Sequence, residues 1–259
     1  MKKALILLAV AIVLIPSLGY SDILTFRLGY FSPQALNNLG SHPDSLWAIE
    51  LTQMSMAKSD YRGTLFGIGY EHFLGPKLSV TASVDFYNKQ NGGYYLNYVA
   101  ETVDSTDYAF PYEDYYNSGS DILHTFHVSM TPIQFSLKFY PMGRKSSFVP
   151  YFGGGGGPYF IRAEIYGYMI DFSDEYTYTD PDLGDVPVYG IYYVDAHETK
   201  VVLGGHVFAG FMIPIGYRLT LEAEARYHFA STTFDSGFIG YDKFNMSGLS
   251  ISLGINYWF

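Results

Sequence analysis

His127 and Ser129 stand two residues apart, and His228 and Ser231 three apart. An imidazole beside a hydroxyl is the pairing that activates a nucleophile for hydrolysis. Gly153 to Gly157 is a run of glycines that could cradle a phosphate, and Asp180, Asp182 and Asp185 offer hard oxygens to calcium. Glu222, Glu224 and Arg226 alternate through LTLEAEARYHF, as a charge network or a gate would require. Two of these readings fail on composition alone. A phosphate loop needs a Lys and a Ser or Thr opening a helix, and Pro158-Tyr159-Phe160 supplies neither. The aspartates lack the spacing of a known calcium loop and read as a solvated acidic segment. The remaining groups depend on the elements that carry them.

Those elements are strands. Leu219, Leu221, Ala223, Ala225 and Tyr227 alternate with Arg218, Thr220, Glu222, Glu224, Arg226 and His228, the two-residue period of an extended chain with one apolar side. The terminal GLSISLGINYWF repeats the pattern, with Leu249, Ile251, Leu253, Ile255, Tyr257 and Phe259 on one face. Further two-periodic segments cover Ile23–Phe31, Gly63–Leu74, Leu78–Phe86, Ile122–Tyr140, Phe148–Tyr166 and Thr199–Ile213. The phase of Ile122–Tyr140 shifts near Pro132, where a β-bulge is expected. Short turns at Gly75-Pro76-Lys77, Pro141–Ser147 and Pro214-Ile215-Gly216 alternate with long connections near Ser32–Asp60, Asn88–Ser120, Gly167–Glu198 and Ala230–Lys243. Tyr94–Ala100 and Val188–Val194 could extend the hairpins or raise the strand count to ten.

Composition says which way the faces point. The chain carries 15 Lys+Arg against 25 Asp+Glu, 19% aromatic residues, 27 Gly and only 15% charged residues. Soluble domains average about 25% charged residues. The acidic balance repels nucleic acid. Lys2 and Lys3, the apolar run Ala4–Ile15 and Ser17-Leu18-Gly19 read as an export signal over residues 1–19, leaving 20–259 as one domain; a retained anchor helix is the alternative. Beyond it no apolar run is long enough for a membrane helix. With no cysteine, a disulfide framework and lipoprotein attachment are excluded. A soluble sandwich would put the charged face in water, but leaves both the scarcity of charge and the aromatic strand ends unexplained. Phe73, Phe139, Tyr140, Phe148, Tyr151, Tyr217, Tyr257 and Phe259 gather near the short turns. Tyr30, Phe86, Tyr87, Tyr166, Tyr227 and Phe229 gather near the long loops. Two aromatic girdles around an apolar band indicate a transmembrane barrel, closed because hydrocarbon satisfies no backbone group.

The layout, FVPYFGGGGGPYF, LTLEAEARYHF and the terminal NYWF together resemble the small bacterial outer-membrane barrels, the OmpA transmembrane domain, OmpX and OmpW group. The resemblance implies an all-β, closed, antiparallel up-and-down barrel of about eight strands in the outer membrane, with termini periplasmic and long loops outside. It implies Tyr257 and Phe259 as the signal read by the barrel-assembly machinery, and outer-membrane lipid or lipopolysaccharide as surroundings. The resemblance does not extend to a periplasmic peptidoglycan-binding domain such as that of full-length OmpA.

Eight strands leave an interior that side chains fill. Arg27, Glu71, Asp85, Lys138, Arg162, Glu164, Glu222, Glu224 and Arg226 are expected to face inward and pair there. The expected function is non-enzymatic: structural support, with recognition of an extracellular ligand through long Tyr- and Asp-rich loops, by a monomer needing no cofactor or metal. A narrow OmpW-like channel for small or hydrophobic solutes is the alternative. A lipid-modifying hydrolase is a third reading, since the lipid A deacylase family exposes a His and Ser two apart on a barrel strand; here the strand phase points His127 and Ser129 inward.

Overall fold

The computed structural model describes residues 22–33, 52–111, 119–144, 146–235, 238 and 243–259. The expected export signal, the amphipathic stretch Leu46–Leu51 and part of the loop Tyr108–Asp121 lie outside the described residues. The elements are β1 (Ile23–Ser32), a 3-10 turn (Lys58–Tyr61), β2 (Gly63–Phe73), β3 (Leu78–Val103), β4 (Thr106–Pro111), β5 (Ser120–Phe139), β6 (Val149–Asp180), β7 (Gly184–Pro214), β8 (Leu219–Phe229), the two-residue β9 (Ser231–Thr232) and β10 (Phe244–Asn245), and β11 (Gly248–Trp258).

Antiparallel ladders run from β1 through β2, β3, β5, β6, β7, β8 and β11, and β11 returns to β1. Eight strands therefore close a ring. At the seam Ile23 stands opposite Trp258, and Asp22 and Phe259 exchange backbone hydrogen bonds of 3.1 Å in both directions. No edge is left in the ring, which removes the unpaired donors and acceptors that an open sheet would present. The shorter strand β4 folds back on β3 and meets β7 beyond the loop end of the ring.

Two long connections expected as loops prove to be mostly strand. β3 continues to Val103 and turns into β4, with left-handed Asp104 and Ser105 at the turn. β6 and β7 pair without a break from Val149–Met212 to Asp171–Gly190, then resume after a register shift and run to the Asp180–Gly184 turn. The Gly153–Gly157 run lies inside β6. A Cβ on Gly155 would run into the carbonyl of Phe135 on β5, so this glycine permits close backbone approach rather than ligand binding.

The expected bulge at Pro132 is absent. The β5–β6 register is the same on both sides of Pro132, which stands opposite Tyr159 while Phe135 stands opposite Gly156. What changes there is the chemistry of each face. Toward the turn end Gln134, Ser136 and Lys138 point inward and are buried, while Phe135, Leu137 and Phe139 are exposed. Toward the loop end Met130, Val128 and Phe126 point inward, and Ser129, His127 and Thr125 point outward. β3 changes at the same level, from Phe86 outside and Asp85 inside to Asn88 outside and Tyr87 inside. So does β6, where Phe160 outside and Tyr159 inside give way to Arg162 and Glu164 outside and Ile161 and Ala163 inside. On β5 and β6 the wall is polar-in and apolar-out below this level and apolar-in and polar-out above it, whereas β7 places Glu198 and Lys200, paired at 3.0 Å, on the inward phase opposite Ala163 and Ile161.

Candidate functional site

In the lower half the inward residues form one ionic network. Arg27 of β1 reaches Asp85 at 3.2 Å and Glu224 at 3.4 Å. Arg226 of β8 binds the same two carboxylates, at 3.2 Å and 2.8 Å, closing a four-membered ring of alternating charge. Nearer the turn end Lys138 of β5 bridges Glu71 at 3.1 Å and Glu222 at 3.3 Å. Four carboxylates face three cations, so the spare acceptor capacity must be met by neutral donors. Ser79 donates to Glu71 at 2.5 Å, Asn256 to Glu222 at 2.9 Å and Tyr151 to Glu224 at 3.1 Å, and Tyr140 donates to Glu71 as well. Lys138 also lies 3.7 Å above the Tyr151 ring. These groups survive burial because each charge meets an opposite charge and a hydrogen bond.

Sequence reasoning missed the neutral members. Gln134 contacts Arg226 and donates to Tyr159 at 2.9 Å; Ser136 meets His206 at 2.6 Å; His228 meets Ser250 at 3.2 Å. Extending the inward phase of Lys138 up β5 would have found Ser136 and Gln134. The buried His228 points inward, which leaves the His228–Ser231 pairing no accessible surface.

An apolar layer covers the network at each end. Ile23, Phe73, Tyr140, Val149, Tyr151, Phe208 and Met212 pack across the turn end. Phe73, Tyr140 and Tyr151, expected in the outer girdle, are thus inside, because their strands place them on the inward phase. At the loop end Phe31, Leu65, Tyr87, Phe126, Met130, Tyr159, Ile161 and Met246 pack with Phe234, Phe238 and Phe244 of the last connection. Tyr87 is likewise inside rather than in the girdle. The void among Arg27, Glu71, Lys138, Glu222, Glu224 and Arg226 is about 20 Å³, room for about one water molecule.

The outside of the same level is hydrocarbon-like. Leu28 (62% exposed), Leu253 (69%), Leu203 (90%), Phe66, Phe135 and Leu137 face outward with no ionised neighbour among them. Tyr217, Phe148, Tyr257 and Phe259 edge this belt at the turn end, and Tyr30, Phe86 and Phe229 edge it at the loop end. Water could not stabilise that exterior, nor oil that interior if the faces were exchanged.

This is the layout of a membrane-spanning β-barrel. No family model and no curated protein sequence matches the chain. Among solved structures it is similar to a major outer membrane protein from Thermus thermophilus, at 11% identity and a TM-score of 0.45, with 92% of this chain and 99% of that one covered. It is also similar to Ail, the attachment invasion locus protein of Yersinia pestis, in complex with the heparin analogue sucrose octasulfate (12% identity, TM-score 0.41, 92% and 97% covered). A third is the Escherichia coli outer membrane protein W (13% identity, TM-score 0.38, 93% and 100% covered).

Arg162 and Glu164 do not join the barrel's interior network. They alternate with the buried Ile161, Ala163 and Ile165 and therefore stand on the outer wall, above the level where the faces change character. Arg162 donates to Glu164 at 3.0 Å. His127 and Ser129, expected inward, stand on the outer wall too, because β5 keeps its register through Pro132. His127 Nδ1 lies 3.3 Å from Glu164 and its Nε2 lies 2.8 Å from Asn88. The hydrogen bond from His127, and then that from Arg162, hold the Glu164 carboxyl below its ordinary range against the opposing effect of burial.

Beyond the ring, aromatic contacts stitch the hairpins together. Tyr98, Phe172 and Tyr189 meet edge to face with centroids 5.3–5.7 Å apart, and Phe110 meets Tyr178 at 5.3 Å. The candidate calcium ligands serve the turn instead. Asp180 accepts from the backbone of Asp182 and Leu183 at 2.8 and 3.0 Å, and Asp185 accepts from Thr179 at 2.9 Å. Among the described residues no group of three or more His, Cys, Asp or Glu is placed to hold a metal ion.

Proposed function

We propose that this chain is a bacterial outer-membrane barrel with a closed lumen, which acts through its outer wall and the hairpins beyond the membrane rather than as a conduit. The observation that carries this reading is the layered interior: a paired ionic network between two apolar seals, with a void of about 20 Å³. An ion crossing it would have to displace Phe or Tyr side chains at both ends and break paired charges between them. The long hairpins add a rigid Tyr- and Asp-rich surface, and Tyr offers contact area at small entropic cost. Support of the envelope and recognition of an extracellular ligand follow from that surface. The test is single-channel recording of the refolded chain in a planar bilayer. Silence of the native protein, and of Arg226→Ala because both apolar seals remain in it, is the expected outcome. A steady native conductance would instead establish the narrow channel.

A further inference from the structure

The turn end of the barrel carries a hollow that the interior network does not use. Tyr140 to Gly143 make a tight turn after β5, closed by a hydrogen bond from Gly143 N to the Tyr140 carbonyl at 3.0 Å. Gly143 stands at φ +68°, a left-handed backbone that glycine adopts without strain. The chain leaving it lays Arg144 over Phe73, with the guanidinium carbon 4.5 Å from the ring centre. Phe73 in turn stacks on Trp258 of β11, with centroids 5.6 Å apart and planes 16° apart. Beside this stack lies a hollow of about 180 Å³, lined by Arg144, Met212, Pro214, Tyr217, Thr220 and Trp258 among others. Tyr217 on its rim is 97% exposed, so the hollow opens toward the turn side.

Two polar groups in it are left with donor capacity to spare. Arg144 Nη1 is buried and has no hydrogen-bond partner among the described residues, on a side chain that carries donors only. Thr220 Oγ1 accepts from Trp258 Nε1 at 3.2 Å, while its own proton is turned to Met212 Sδ at 4.0 Å, a weak acceptor. Arg144 is the one charged residue of the lining. Arg218, next to Tyr217, donates instead to Tyr257 Oη at 3.4 Å.

We propose that this hollow binds the carboxylate of a small apolar acid, free or at the end of a peptide, presented from the turn side of the membrane. A carboxylate matches both the charge and the planar fork of a single guanidinium. A phosphate dianion would bring a second charge that no other cation of the lining answers. Met212, Pro214 and Trp258 offer apolar walls to a small substituent, and the hollow is several times the about 30 Å³ that one water takes in the liquid. The site goes beyond the closed-lumen reading and does not depend on it. Phe73, on which Arg144 rests, belongs to the seal that parts the hollow from the lumen.

The chain has two tryptophans, so Trp47→Phe leaves Trp258 as the sole reporter in the wall of the hollow. The full chain with that change is refolded in zwitterionic micelles and titrated at constant ionic strength with propionate, N-acetylalanine, N-acetylalanine amide and inorganic phosphate. A saturable change in Trp258 emission is expected with the two carboxylates and not with the amide. The tighter of the two identifies the source, a free acid or a peptide end. Arg144→Gln should raise Kd by at least about tenfold. Heat-modifiable electrophoretic mobility shows that each protein is folded, and the comparison of acid with amide needs no further variant. An equal response to the amide, no response to either carboxylate, tighter binding of phosphate, or an undiminished response in Arg144→Gln overturns the proposal. Conductance recorded on the same preparation keeps the two readings apart, since an open pore with intact binding would sink only the closed lumen.

Discussion

Arg226 holds the interior together more than any of its neighbours. It contacts both Asp85 and Glu224, touches Gln134, and lies 5.0 Å from the Phe208 ring. Truncating it would leave Arg27 as the cation paired with both buried carboxylates. Loss of one partner from a buried pair costs about 3–5 kcal/mol. Arg226→Ala should lower the unfolding free energy in vesicles by that amount, measured by urea titration. Outward residues tell the opposite story. Arg162 and Glu164 pair at 3.0 Å on the outer wall, where such a pair contributes at most about 1 kcal/mol.

Along the strands, orientation was legible wherever one pattern held from end to end. β1, β2, β8 and β11 never leave the membrane level by more than a residue or two, so their apolar faces point outward throughout, as read from the alternation of Leu219 to Phe229 and Leu249 to Phe259. β5 and β6 extend well past it. Their alternation changes sense at Pro132 and Phe160, and a reader who assumes one environment must invent a bulge or turn Arg162, Glu164, His127 and Ser129 inward. Two residues per repeat fix which side chains share a face but not which solvent that face meets. The same extension explains why the connections at 88–120 and 167–198 looked like loops: above the membrane their faces are mixed, and the two-residue contrast fades. A true irregularity sits instead at the shift between Asp171 and Glu175. There the Asp171 carboxylate accepts from Ser173 Oγ at 2.6 Å and Ser173 N at 2.9 Å, and these bonds hold its carboxyl below the usual range. A depressed folded-state value means that stabilisation is fully present above the ordinary carboxylate range and is lost as pH falls through the folded value. The protection factor at Ser173, its exchange rate referred to the intrinsic rate at each pH, should therefore fall on acidification, and Asp171→Asn should remove most of that dependence.

For the molecule as a whole, the position of the belt sets what the exterior tolerates. Leu253, opposite Leu28 at mid-height, faces hydrocarbon. Leu253→Arg should cost about 2–4 kcal/mol in a bilayer. His197, opposite Glu164 above the belt, faces water, and His197→Arg should change stability by less than about 0.5 kcal/mol. Refolding yields and urea midpoints in the same vesicles compare the two directly; equal penalties would mean that the hydrocarbon boundary lies elsewhere.

The level at which the two faces trade character also works as a waterline fixed into the sheet. A bilayer thicker than the belt must either drown Asn88, Ser129 and Arg162 or pinch its own chains down to the height of Phe86 and Phe160. Mismatch of this kind costs fractions of a kcal/mol per Å, enough to thin and disorder the lipids in contact with the wall. The lipids touching Asn88, Ser129 and Arg162 would then be those whose chain-to-headgroup junctions are drawn toward them.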